Sequence, residues 1–424
     1  VAISEHYDVL IVGRTVAGLM AATLLAKRRL RVRVLDVGFS PEPDLPVFGL
    51  ETTPLLHPLL DEMGLVHDVR TRIFGPPTAV NIALSDRRFA FPPDARKRAQ
   101  ILGEVFPDEQ DPLLELFSFI ERFGPKMDSM LDGELDFSAD GFRATRGLQR
   151  LAEESGLDDL VGQTRSWSEN QIISDFVKAL LAVSGRLDGG PDYMTPAAIR
   201  SLWHLCFGIP RIRDGRRGLE DLLAQKLLTS GGTIEEHRIA DQFDIRRKRI
   251  KSIQTTDGAV FGGDAVIVSG GMNTLNMLAG EVIGAVETAT LNRVAIPAYE
   301  RPQPFLDPCG WIPRLGHAPV LARPQDGTVA LLSVDTGSLP IEQLVPATNI
   351  ARSEAIESPW SGPAQLDTFG FCSSALRSPL KNTLLIGESM MPGLGIEGAC
   401  LTAYQAAEAV TASKASRWPF GGKL

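Results

Sequence analysis

The sequence predicts an α/β fold in which a Rossmann-like domain is interleaved with an α+β domain. Three stretches predict it. Residues 7–36, YDVLIVGRTVAGLMAATLLAKRRLRVRVLD, read as strand, sharp turn, helix and strand. Residues 209–271 order a helix, a double glycine, a hairpin and an apolar strand. Residues 383–411 return to strand, glycine-rich loop and helix. The first unit has the architecture that holds the ADP half of a dinucleotide.

Each element follows from local chemistry. Val9 to Val12 is a short apolar run, as in a strand buried on both faces. Gly13 marks the turn, and Ala17 to Ala26 is an Ala/Leu-rich helix with Gly18 near its start. Val32, Val34 and Leu35 form a second strand that ends at Asp36. The fingerprint G-x-G-x-x-G falls on Gly13, Thr15 and Gly18. The free amides at the helix start, over Thr15, Val16 and Ala17, face the place of a pyrophosphate. Asp36 is placed to accept from ribose hydroxyls. Thr15 replaces the glycine that lets phosphates approach the backbone. It either crowds them or offers them a hydroxyl. A buried βαβ unit with no ligand is the alternative.

Four prolines between Gly38 and Pro54 predict a loop. Leu55 to Met63 reads as a short helix closed by Gly64, and residues 78–91 as a hairpin turning at Asp86-Arg87. From Asp94 to Leu205 the pattern is mostly helical, and its aromatics are read as core. Leu219, Leu222, Leu223 and Leu227 give the next helix an apolar side, which Gly231-Gly232 ends. A short strand at Thr233–Glu235 follows, then a hairpin over 250–261 turning at Asp257-Gly258. Asp264 to Ser269 is a strand entering Gly270-Gly271. Between Met272 and Gln365 only Thr288–Pro297 and Thr328–Val334 read as strands. Thr383 to Ile386 is a buried strand closed by Gly387-Glu388, the loop Pro392-Gly393-Leu394-Gly395 follows, and Ile396 to Thr411 is a helix of small residues.

Composition narrows the function classes. With 44% hydrophobic and 22% charged residues the chain can build a large core, and a net charge of −9 argues against a nucleic-acid partner. The basic run Arg246 to Arg249 is read as a solvated hairpin end. The four cysteines and six histidines show no ligand spacing, so no metal site is expected and the thiols are read as reduced. No membrane span and no signal peptide are expected, and the protein is read as cytoplasmic, with a peripheral membrane or protein partner as the open alternative. The tail KASRWPFGGKL is read as a frayed terminus, with a docking or membrane-surface peptide as the alternative.

Three blocks together resemble the flavin-dependent oxidoreductases that include amine oxidases, protoporphyrinogen oxidase and phytoene desaturase-like enzymes. They are Gly13–Asp36, then DGRRGLEDLL through GGTI and TTDG to GDAVIVSGG, then LLIGES, PGLGIEGA and AYQAAEAV. The resemblance implies FAD as cofactor. It places Gly13 and Gly18 beside the pyrophosphate, Asp36 on the adenosine ribose, and Ile239 and Ala240 beside the adenine. Gly270 would line the nucleotide cleft. Gly387 and Glu388 would lie near the ribitol or pyrophosphate, and Gly393, Gly395 and Ile396 would bring helix amides to the pyrimidine edge of the flavin. It implies hydride removal from an organic small molecule, with an isoprenoid- or carotenoid-like substrate favoured by PGLGIEGA. Amine oxidase-like activity is one alternative. A non-catalytic binding or escort relative is another. The segment VGFSPEPDLPVFG lacks the family's glycine-rich phosphate loop. No catalytic side chain is assigned, since the flavin carries the chemistry. The FAD domain is expected over 1–55, 206–285 and 366–424, and the substrate domain over 56–205 and 286–365.

Overall fold

The structure is a computed structural model. It describes residues 3–38, 53, 55–131, 146, 150, 153, 164, 167, 169–185, 195–284, 290–297, 309–311, 320–325, 328–334, 352–357, 371, 376–391 and 394–417. In chain order, β1 (Glu5–Val12), α1 (Val16–Lys27) and β2 (Val32–Asp36) open the fold, followed by α2 (Leu56–Met63) and α3 (Val66–Arg72). The hairpin β3 (Val80–Ala83) and β4 (Arg88–Phe91) leads into α4 (Ala95–Val105), α5 (Gln110–Leu131), α6 (Gln171–Val183) and α7 (Pro196–Leu205). Next come α8 (Gly215–Thr229), β5 (Thr233–Ile245), β6 (Ile250–Thr255), β7 (Val260–Ser269) and α9 (Gly271–Ala279). Strands β8 (Thr290–Pro297), β9 (Cys309–Trp311), β10 (Val320–Gln325), β11 (Thr328–Val334) and β12 (Arg352–Glu357) precede β13 (Thr383–Ile386) and α10 (Ile396–Arg417).

Two sheets organise these elements. In the first, β5, β2, β1, β7 and β13 lie side by side and parallel. Strand β5 changes partner partway. It runs parallel to β2 as far as Ile239, then antiparallel to β6 from Ala240 onward, with a register shift at Leu35/Asp36. Strands β5, β6 and β7 thus form a meander on the parallel sheet. The expected strand at Thr233–Glu235 is therefore the first part of a longer element. Its polar run EEHRIADQ hides the alternation that would have shown this. The run Arg246 to Arg249 closes the β5–β6 turn. Arg246 donates to Arg249 O at 2.9 Å, and Arg247 and Lys248 both take positive φ.

One face of this sheet is covered by α1, α2, α8 and α10 around a single core, and the other by residues of the meander and α9. Helix α1 is buried from Val16 to Ala26, which explains why its sequence is apolar all round. Leu56, Leu59, Leu60 and Met63 of α2 pack in that same core, although the segment was expected beyond the domain boundary at 55. Gly64 ends α2 with φ +68, as its position predicts.

The second sheet orders seven strands as β12-β8-β11-β10-β9-β3-β4. The expected 78–91 hairpin is one edge of it, and the stretch over 272–365 supplies its other strands. Helix α6 lies on this sheet so closely that a Cβ on Gly310 would fall 1.7 Å from Ala179 O. Asn170 and Thr195 cap α6 and α7, and Pro196 sits in the first turn of α7. Phe91, Phe106, Phe117 and Phe176 form the aromatic centre of this second core. No helix among the described residues is long and apolar enough to cross a membrane.

The tightest point of the first sheet is the turn between β1 and α1. A Cβ on Gly18 would fall 2.2 Å from Gly13 O. We expect Gly18→Ala to destabilise the protein by about 1–3 kcal/mol, as backbone shifts relieve the clash. Chemical denaturation of the two proteins measures this.

Candidate functional site

Three adjacent parallel strands end at one edge of the first sheet. The register pairs Val12 with Val268 and Ile386 with Ser269. Gly13, Gly270 and Gly387, which follow these strands, therefore come together, with φ of +105, +94 and +129. Such values are open to glycine and strained for other residues. Gly13 donates to Leu35 O at 2.9 Å, and Gly270 donates to Ile386 O at 3.0 Å. A Cβ on Gly13 would touch Ser269 Cβ at 3.0 Å. The crevice beyond strand carboxyl ends is where open α/β sheets place ligands.

Thr15 does not project into this crevice. Its side chain turns inward and is 4% exposed. Oγ1 accepts from Gly18 N at 3.1 Å and shares a 2.5 Å hydrogen bond with Ser269 Oγ. Thr15 is thus the N-cap of α1 and a tie from α1 to the end of β7. Neither of the two expected roles toward a phosphate is needed to explain this side chain: its hydroxyl is held by protein partners. Val16 and Ala17 follow in the first turn, 2% and 0% exposed. Among the described residues nothing accepts from their amides, since a helix leaves its first N–H groups without internal partners. Buried amides of this kind at a helix N-terminus suit an anion.

The remaining expected residues divide. Asp36 ends β2 opposite Ile239, is partly exposed at the sheet edge, and accepts from Val37 N at 2.7 Å. Ala240 is 3% exposed and its side chain packs in the meander core, so only its backbone could meet a ligand. Gly387 donates to Thr402 Oγ1 at 3.1 Å, which ties β13 to α10. Gly395, at φ +56, and Ile396 start α10, and a Cβ on Gly395 would meet open space. Gly393 lies outside the described residues, as does most of the loop after Gly38.

Glu388 is 2% exposed and accepts from Arg216 Nη1 at 2.7 Å. Arg216 stands in the first turn of α8, so this pair brings a third helix start to the same edge. The sequence reading missed Arg216. Its position one residue after Gly215 at a helix start was the available signal.

A second set of charges, also missed, lies behind α10. Arg200 on α7 grips Glu397 with two bonds, 2.6 and 2.9 Å, and both side chains are 3% exposed. Arg200 Nε also donates to Asp128 Oδ1 at 2.7 Å, and His204 Nε2 lies 3.1 Å from the same oxygen. These four residues bind α5, α7 and α10 together. Burial opposes the charge on Asp128, yet the His204 hydrogen bond and the Arg200 charge outweigh it and hold the carboxyl below its usual range. Burial likewise opposes the Arg200 charge, and Glu397 and Asp128 outweigh it. Residues this far apart in sequence, on elements of separate pattern, give no local motif.

A carboxyl whose pKa is lowered by folding stabilises above its unfolded value, and that contribution is lost as pH falls through the folded one. Asp128→Asn should therefore cost about 1.5–3 kcal/mol at neutral pH. Its deficit against the parent protein should shrink as pH drops below about 4. Urea titrations across pH read both effects.

No protein-family model and no curated protein matches the sequence. Solved structures do match. An oxidoreductase from Methanosarcina mazei aligns with a TM-score of 0.53 at 12% identity, over 94% of this chain and 99% of that one. The PF1083 protein from Pyrococcus furiosus aligns with a TM-score of 0.50 at 14% identity, over 95% and 97%. A myxobacterial FAD-dependent chondrochloren halogenase aligns at 0.47 and 10% identity, over 97% and 76%. At such identities the likeness shows the fold, a Rossmann-type α/β sheet interleaved with a second, mixed unit.

Proposed function

We propose that this protein is an FAD-dependent oxidoreductase whose cofactor lies across the carboxyl edge of the first sheet. One observation carries the reading. The glycines after β1, β7 and β13 converge there, next to two buried α1 amides without acceptors among the described residues. An anionic linker fits that place, and the inward turn of Thr15 leaves its path clear. The resemblance of the three sequence blocks supplies the identity of the dinucleotide.

In this reading the Val16 and Ala17 amides hold the pyrophosphate. Asp36 accepts from the adenosine ribose, and the backbone at Ile239 and Ala240 borders the adenine. Gly270 gives the ligand room at the end of β7. Gly395 and Ile396 present the start of α10 to the ring end, where a helix N-terminus favours negative charge. The charge of Glu397, one residue on, would oppose that effect, and Arg200 offsets it with two hydrogen bonds. FAD, when bound, supplies the two-electron acceptor. The chain supplies orientation and charge, and no side chain is assigned to bond making.

The finer reading is hydride removal from an apolar, isoprenoid-like organic substrate. Its support is the sequence PGLGIEGA, and the apolar core that reaches Phe371, Met391 and Leu394 just before α10. Amine oxidation uses the same cofactor geometry, and turnover of amines in place of apolar substrates would select it.

Two outcomes test the cofactor. The purified protein should show flavin absorption in the visible range and release FAD on denaturation, identified by mass. A colourless protein that takes up no added FAD sinks the proposal. Asp36→Ala should weaken FAD binding by about 1–3 kcal/mol with the fold intact. Parent-like affinity would remove Asp36 from the site.

A further inference from the structure

An exposed ribbon lies on the chain entering and leaving the helical unit and ends just before α8. Residues 72–78 pair antiparallel with 209–213. Phe74 N donates to Arg211 O at 3.0 Å, Arg213 N to Arg72 O at 2.9 Å, and Thr78 and Ile209 exchange bonds of 2.9 and 3.0 Å. The bridge between Ile73 and Ile212 sets the faces. Both isoleucines pack against the first core, so their neighbours Phe74, Arg211 and Arg213 stand on the outer side.

That outer side combines two unusual features. Phe74 is 49% and Phe207 38% exposed, two of the few large apolar side chains left to solvent among the described residues. Phe74 lies two residues before the exposed Pro76-Pro77, and Gly208, next to Phe207, packs against Pro77. Across the ribbon Arg72 stands opposite Arg213 and Arg211 opposite Phe74, and Arg70 lies in the last turn of α3 just before it; no ion pair of these four is found among the described residues. The acids closest in sequence, Asp68 and Asp214, are outnumbered. On a chain of net charge −9 this is a local reversal of sign. Like charges set side by side across paired strands repel and lower stability. Exposed aromatic side chains lose free energy in water. Both costs are relieved by one kind of surface, anionic outside and apolar just beneath.

We propose that this ribbon docks the protein on an anionic lipid surface, with the arginines at the headgroups and Phe74 and Phe207 dipping below them. The arginines supply salt-sensitive attraction and the rings supply apolar burial. The proposal is independent of the cofactor reading, because that reading assigns none of these residues to the cofactor.

Sedimentation of the full-length protein, as purified, with lipid vesicles tests it. One set is pure phosphatidylcholine, and the other contains about 30% phosphatidylserine. The parent protein should sediment with the anionic vesicles only, and less as ionic strength rises. The double variant Arg211→Glu/Arg213→Glu should bind at least about tenfold more weakly. Phe74→Ala should bind several-fold more weakly. If the glutamate variant melts early, Arg211→Gln/Arg213→Gln replaces it and should still weaken binding. Absence of binding, equal binding to both vesicle types, or indifference to the arginine changes would overturn the proposal. So would binding that needs the arginines but not Phe74, since that describes a site for a soluble polyanion.

Discussion

The structure depends on how closely α1 approaches the end of β1. Three residues separate the strand from the helix. That distance leaves no room for a side chain where Gly18 faces Gly13 O, and it requires the φ of +105 that Gly13 adopts. The same closeness turns Thr15 inward onto Ser269 and Gly18 N. A single contact thereby fixes the helix start relative to β7. It also sets the position of the Val16 and Ala17 amides in the first turn of α1. Loosening it would cost packing and would misplace the donors on which the functional reading rests.

Charge does the corresponding work within and between the two units. Arg216 and Glu388 join α8 to the turn after β13 within the first unit, and Arg200 joins α7 of the second core to α10 through Glu397. Buried ion pairs of this kind add little net stability over apolar packing, but losing one partner is expensive. Their value lies in direction. They hold helix starts in place and give the buried Glu397 carboxylate a cationic partner. The Asp128–His204 contact extends the set into α5, so the helical unit and the crevice share one electrostatic frame.

Much of the first sheet was legible in the sequence. Gly13, Gly18 and Asp36 occupy the places their spacing predicts. The hairpin over 250–261 and the final strand and helix also lie where glycine punctuation and apolar runs put them. Strand β5 was cut short because Glu235 to Asp241 is too polar to show a period. The role of Thr15 was not legible, since a threonine in a phosphate turn looks the same whether it faces the ligand or Ser269. In the second sheet the 78–91 hairpin, β8 and β11 were legible, whereas β9 has three residues, β10 contains Pro324 and β12 is largely polar, so these gave no strand signal. The Arg200–Glu397–Asp128–His204 cluster gave none, because its members meet only when α5, α7 and α10 converge. The packing of α2 with α1 was likewise invisible, as an amphipathic helix carries no label for the core it joins.

The most direct test is hydrogen exchange of the α1 N-terminus with and without FAD. The amides of Val16 and Ala17 have no acceptor among the described residues, so they are the donors the account assigns to the pyrophosphate. Exchange–mass spectrometry of a fragment spanning 13–20 should show slower exchange once FAD is added to the apoprotein, with little change in the second sheet. Exchange in that fragment that is indifferent to bound FAD would contradict the account, because the cofactor would then lie elsewhere.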